Sequence, residues 1–195
     1  VGGYLREQKL SYEVYHGGME QEARERALYK FRNGSCNVLV STDLAARGLD
    51  IPEVHHIIHY HMPAGEDAYI HRTGRTARWD AQGNAYLILH AEEHVPEYVA
   101  DEVEDFELPE RPGRPQPPQW TTLYVGRGKK DKINKVDIAG FFYKKGGLSR
   151  EDVGNIDVHD YYAYVTVRRG KVKQLLALVG NEKIKGVKTR IDIAK

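Results

Sequence analysis

The chain has 195 residues, 41% of them hydrophobic and 29% charged, with 29 Lys and Arg against 28 Asp and Glu for a net charge of +1. That hydrophobic content is enough for one or two packed domains of roughly 100 residues and excludes disorder throughout, and no run approaches the roughly 18 to 20 apolar residues of a membrane span. Cys36, the single cysteine, has no partner for an internal disulfide, and Val1 to Leu5 lack the basic and apolar regions of a signal peptide, so a cytoplasmic, reducing location is expected. The chain opens on Val1 rather than Met, which predicts a piece of a longer protein.

The near-zero charge conceals an uneven distribution. Residues 1–110 hold 10 basic and 20 acidic residues, whereas residues 111–195 hold 19 basic and 8 acidic. Nine of the acids fall in residues 92–110, where there is no Lys or Arg. Three segments of different sign are therefore expected: a nearly neutral body, an acidic spacer and a basic tail.

In chain order, the apolar spacing predicts a short helix over 1–9, a strand over 12–15, and a helix over 20–32 with Ala23, Ala27, Leu28 and Phe31 on one face. A buried strand follows over 37–41, then a strand over 54–60, a helix over 65–77, a strand over 85–89 and an acidic helix over 92–106. Strands alternating with helices imply an α/β domain with a mostly parallel, doubly covered sheet over residues 1–107. Residues 108–120, LPERPGRPQPPQW, contain five of the eight prolines and read as an extended linker. Residues 121–195 then read as strand 121–125, a Gly/Lys-rich turn 126–132, helix 135–144, strands 155–158 and 161–168, helix 171–179 and strand 189–193. This βαββαβ order is a small α+β domain with one sheet face left free.

Two motifs carry the chemistry of the first domain. His71-Arg72-Thr73-Gly74-Arg75-Thr76-Ala77-Arg78 places Arg75 and Arg78, three residues apart, on one helix face, and planar guanidinium forks suit phosphate oxygens. Ser41-Thr42-Asp43-Leu44-Ala45-Ala46-Arg47-Gly48-Leu49-Asp50 follows a buried strand, where open α/β sheets bind ligands at the strands' carboxyl ends. With His16-Gly17-Gly18-Met19-Glu20-Gln21-Glu22-Ala23-Arg24, these segments resemble motif V, motif VI and the Q-x-x-R element of the second RecA-like domain of DEAD-box RNA helicases, in order and spacing over roughly residues 1–105. The strand that normally opens that domain would precede Val1.

The resemblance implies a RecA-like fold and, residue by residue, a set of roles. Gly48, Asp50, Arg75 and Arg78 would contact ATP, with Arg75 and Arg78 as catalytic fingers at the γ-phosphate; His71 and Arg72 would couple to the missing first RecA-like domain. Gly18, Gln21, Arg24 and Thr42 would hold the RNA backbone without reading bases. Ala77 stands where the family usually has Gly, and Trp79 to Gln82 replace a small turn. The sequence contains neither a G-x-x-x-x-G-K-[ST] loop nor an Asp-Glu-Ala-Asp site, and Gly126 to Lys130 has the wrong spacing to substitute. ATP hydrolysis therefore needs the first domain, which would also supply the Mg2+ ligands, and this chain alone should be inactive.

In the basic domain, Lys129, Lys130 and Lys132 gather in one turn as expected of a phosphate-binding surface. Leu123-Tyr124-Val125-Gly126 and Tyr162-Ala163-Tyr164-Val165 partly match RRM strand signatures, with Ala163, Val165 and Val167 on the core side and Tyr124, Tyr162 and Tyr164 on the other. Base stacking and cross-strand tyrosine packing both fit this pattern. GRGKKDKINKVDIAGFF followed by NIDVHDYYAYVTV resembles the RNA-binding domain of DbpA-type DEAD-box proteins, which implies tethering to a structured RNA, in that family a ribosomal RNA element used in large-subunit assembly. His55, His56, His59 and His61 alternate along a strand and its exit with no cysteine nearby, so they are read as polar strand-end residues and no metal site is expected. A monomer with an RNA partner is expected. The competing readings are a non-catalytic RNA-binding or chaperone protein on the same scaffold and a DNA-directed superfamily 2 helicase.

Overall fold

The computed structural model describes residues 1–43, 54–74, 83–111, 113–180 and 182–195. In chain order its elements are α1 (Gly2–Glu7), β1 (Tyr12–Tyr15), α2 (Gln21–Arg32), β2 (Val38–Ser41), β3 (His56–His59), α3 (Glu66–Thr73), β4 (Asn84–Leu87), β5 (Trp120–Val125), α4 (Lys135–Lys144), β6 (Val153–Val158), β7 (Ala163–Arg168), α5 (Val172–Val179), β8 (Lys183–Ile184), β9 (Val187–Lys188) and β10 (Ile191–Ile193). They form two compact units, one made of residues 1–40 with 116–195 and the other of residues 41–115. The covalent order and the packing order thus differ, and the break at residue 116 falls inside the proline-rich stretch.

The basic domain has the expected βαββαβ path, with strand order β10-β5-β7-β6 and every neighbouring pair antiparallel. Alternation sends Leu123, Val125, Ala163, Val165 and Val167 to one face, all fully buried, where they meet Ile138, Phe142 and Leu175 from α4 and α5. α4 starts at a capping box: Asn134 Oδ1 accepts from the Asp137 amide at 3.0 Å, and Asp137 Oδ2 accepts from the Asn134 amide at 2.9 Å. Those hydrogen bonds hold the Asp137 carboxyl below its ordinary range. The hairpin β8–β9 did not stand out in the sequence; its turn has Lys185 and Gly186 at φ 49° and 80°, the left-handed pair of a tight two-residue hairpin.

The opposite face of this sheet is partly covered, with Tyr164 buried and Tyr124 and Tyr162 partly exposed. α2 buries Ala27, Leu28 and Tyr29, and Lys30 is ion-paired with Glu13 of β1. Tyr29 Oη donates to the Asn155 carbonyl at 2.6 Å and accepts from Thr166 Oγ1 at 3.2 Å, while its ring lies 5.4 Å from that of Tyr164. Ser35 Oγ and Thr122 Oγ1 are 2.8 Å apart and both buried. The linker end is tied down too: the Gln116 carbonyl accepts from Asn37 Nδ2 at 2.7 Å and the Pro118 carbonyl from Arg169 Nε at 2.6 Å. The expected free face is therefore corrected. Its Tyr, Thr and Trp side chains offer a half-apolar surface that α2 and the residues after it cover.

In residues 41–115, β3 and β4 pair in parallel, His56 to His59 opposite Asn84 to Leu87, joined through α3 as a βαβ unit requires. Among the described residues the α/β strands pair two by two, β1 with β2 and β3 with β4. The acidic helix expected over 92–106 is only a 3₁₀ segment, Glu97–Glu102. Pro96 cannot donate into a preceding turn, and unbalanced carboxylates on neighbouring turns repel one another. Tyr98 holds this segment, its ring 5.8 Å from Tyr69 and its hydroxyl donating to the Pro63 carbonyl at 3.4 Å.

Candidate functional site

α3 carries the first half of motif VI. Its helix begins after Gly65 with Glu66 and Asp67 in the first turn and His71 and Arg72 in the last, an order that complements the helix dipole. His71 is exposed, whereas Arg72 turns back onto the unit. Arg72 Nε donates to Asp43 Oδ1 at 2.5 Å, its Nη1 donates to the His61 carbonyl at 2.9 Å, and the same Nη1 lies 3.4 Å from His59 Nδ1. One guanidinium thus ties motif VI to Asp43 of motif V and to the exit of β3. Thr42 is exposed beside this clamp in sequence. Gly48, Asp50, Arg75 and Arg78 lie outside the described residues.

His59 corrects the strand-end reading of the histidines. It is 2% exposed and stacks on Tyr69 at 5.4 Å. Burial first, and the Arg72 charge second, lower its pKa from 6.5, so the ring is neutral at pH 7. A neutral ring with a free Nδ1 lone pair accepts from Arg72; its Nε2 is buried without a partner among the described residues. No signal in the sequence separated His59 from exposed His55, His56 and His61, because its burial comes from Tyr69, ten residues further on another element. The described residues contain no cluster of three or more His, Cys, Asp or Glu placed to hold a metal.

The Q-x-x-R element is assembled at the start of α2. Arg24 Nη2 donates to Gln21 Oε1 at 2.7 Å, and Gln21 Nε2 donates to Glu25 Oε1 at 2.8 Å. Gly18 is exposed just before the helix, its amide donating to His16 Nδ1 at 3.1 Å. These groups form one polar end, with Arg24 fixed by its own helix neighbour rather than by a distant acid.

Of the two arrangements that the tyrosine pattern allows, Tyr164 follows the packed one. Tyr164 is 1% exposed under Tyr29, and in this position it has no ring face for a base. Tyr124 and Tyr162 stack at 5.8 Å, and His159, which the sequence reading missed, stacks on Tyr162 at 4.5 Å. Burial is the first cause of the raised pKa values of Tyr162 and Tyr164. Lys129, Lys130 and Lys132 are exposed as expected, and the turn that carries them rests on Gly128, where a Cβ would run into the His159 carbonyl.

Comparison with known proteins follows the same two parts. Residues 2–80 match the family "Helicase conserved C-terminal domain", and residues 122–193 match the "DbpA RNA binding domain". The chain is 33% identical over 207 aligned residues to the ATP-dependent RNA helicase DbpA of Bacillus subtilis, covering 92% of this chain and 43% of that protein. The chain belongs to the DbpA-type DEAD-box RNA helicases. The DbpA helicase of Escherichia coli is similar at 32% identity, over 92% of this chain and 41% of its own length. Among solved structures, the C-terminal domain of the DEAD-box protein Dbp5 is 33% identical with a TM-score of 0.42, covering 47% of this chain and 54% of that one. The DbpA-type chain thus carries the second RecA-like domain and the RNA-binding domain, and it spans less than half the length of the two DbpA helicases it matches.

Proposed function

We propose that this chain supplies the phosphate-sensing and RNA-holding half of an ATP-dependent RNA helicase that remodels structured RNA, ribosomal RNA being the target that the DbpA resemblance implies. The observation that carries the reading is the Arg72 clamp. It commits the first arginine of motif VI to Asp43 and to the β3 exit, and the reading assigns the two later arginines of the motif, Arg75 and Arg78, to a triphosphate.

In this reading ATP sits between the second RecA-like domain and a first one, which holds its Mg2+. Arg75 and Arg78 stabilise the charge on the transferring phosphoryl group, Asp50 and Gly48 contact the nucleotide, and His71 faces the first domain. An arginine finger contributes about 10³ to 10⁵ in rate. Gly18, Gln21, Arg24 and Thr42 hold RNA by its backbone, while the basic domain tethers the substrate as a monomer. Domain limits of 1–107 and 121–195, with a linker over 108–120, describe the covalent modules.

The test is RNA-stimulated ATP turnover in a polypeptide that joins a first RecA-like domain to this chain. Arg75→Ala should lower turnover by about 10³-fold or more with RNA affinity nearly unchanged. Near-normal turnover would contradict the finger role, RNA affinity indifferent to ATP would favour a non-catalytic RNA chaperone, and preference for duplex DNA in competition would favour a DNA helicase.

A further inference from the structure

The RNA-binding domain has one sheet face covered by α4 and α5, and on the other Tyr29 of α2 buries Tyr164 while Tyr124 and Tyr162 stay partly exposed. A second surface lies at the sheet's edge. The edge strand β10 borders a cleft of about 700 Å³ whose opposite wall is the last turn of α5. Arg127, Lys188 and Arg190 all line it, against a single acid, Asp192.

The cations are arranged rather than scattered. The Gly126 amide donates to the Arg190 carbonyl at 2.9 Å, which joins the ends of β5 and β10 and brings Arg127 to the cleft. Arg127 Nη1 is held by Asp131 Oδ1 at 3.2 Å, and its Nε is buried without a partner among the described residues. Arg190 Nε donates to Asp192 Oδ2 at 2.6 Å, which fixes the plane of that guanidinium. Lys188 is exposed and makes no ion pair among the described residues. Leu176 and Ile191, both partly buried, give the cleft an apolar wall.

An apolar wall beside a cationic rim matches the two halves of a nucleotide. We propose that this cleft seats one unpaired ribonucleotide of the bound RNA, its base against Leu176 and Ile191 and its phosphate on Arg127 and Lys188. The phosphate belongs at that rim because the last turn of α5 presents carbonyl oxygens, which repel anions. Lys129 and Lys130 extend the cationic path from Arg127 along the chain, so the strand leaving the cleft stays on positive surface. The inference rests on the RNA-binding reading and names a nucleotide site for it away from the partly covered tyrosine face.

The test uses the whole chain and a mixed-sequence single-stranded RNA of eight nucleotides. RNA should shift the amide resonances of Gly126, Gly180 and Thr189, beyond any shift produced by inorganic phosphate or by a poly-glutamate peptide at equal charge. Lys188→Glu, at an exposed position, and Arg127→Gln should each weaken RNA binding about 3- to 10-fold and lower the slope of log affinity against log salt by about 0.7 per contact. Unchanged affinity and slope in both variants, with RNA still bound by the parent chain, would place the nucleotide elsewhere and leave the RNA reading standing. Equal shifts from poly-glutamate or phosphate would reduce the cleft to a general anion surface and overturn the nucleotide site. Failure of the parent chain to bind RNA at all would overturn both.

Discussion

The two compact units differ in where their side chains go. In residues 1–40 with 116–195, sixteen buried hydrophobic residues form one cluster between the β10-β5-β7-β6 sheet and its helices, and a second cluster, Tyr29, Tyr164 and Ala194, fills the other face. In residues 41–115, Val99 and His59 are buried among the described residues, while Ile58, Tyr60, Ile70 and Ile88 are half or more exposed or close to it, at 62, 56, 54 and 49%. The first unit has the dense contacts from which cooperative stability comes; among its described residues the second is held by the Arg72 clamp and the stacking of His59 on Tyr69.

The sharpest way to break that comparison is to remove the centre of the α2-covered face. Tyr164→Ala deletes a fully buried ring and should cost about 3 to 5 kcal/mol in denaturant unfolding of the unit formed by residues 1–40 and 116–195. A change within experimental error would mean that this face is open in solution and free for bases.

A milder probe is Tyr29→Phe. It keeps the ring contact with Tyr164 and removes the hydroxyl that serves the Asn155 carbonyl and Thr166 Oγ1, for an expected loss of about 1 kcal/mol. Loss of several kcal/mol would show that the hydroxyl network, not ring packing, holds α2 on the sheet.

The last probe separates the units by pH. His59 titrates below 6.5 in the folded chain, so the unfolded state binds its proton first. Its contribution is complete above pH 6.5 and is lost as the pH falls through the lowered folded value. The cap carboxylates Asp137 and Asp152 are also lowered, from 3.8, so their contribution persists until the pH falls below about that value. Amide hydrogen exchange at pH 7 and pH 5.5, corrected for intrinsic rates, should show protection falling in β3 and α3 before it falls in β5 and β7. Loss in both at the same pH would contradict the division.

Much of the basic domain was legible because its signals are local. Helix α4 runs over Lys135–Lys144, as its periodicity predicts, and alternation in β7 correctly put Ala163, Val165 and Val167 inside. The motif V and VI segments were legible for a different reason: short runs of fixed residue types at fixed spacing resemble a family, and family comparison agrees over residues 2–80. The acidic helix was misread because composition favoured it while Pro96 and like-charge repulsion did not. The burial of Tyr164 was not legible because alternation tells which residues share a face but not what lies on it.

Two kinds of information therefore divide cleanly in this protein. The amino-acid order by itself determined the strands and helices of the RNA-binding domain, the three-part charge pattern and the helicase motifs, since these depend on neighbours within a few residues. Only the tertiary structure decided that Tyr29 closes the sheet over Tyr164, that His59 rather than its neighbours is buried beneath Arg72, and that Arg127, Lys188 and Arg190 meet around one cleft. Each of those pairings joins residues far apart in sequence or on different elements, and their partners are selected by packing and desolvation rather than by local spacing.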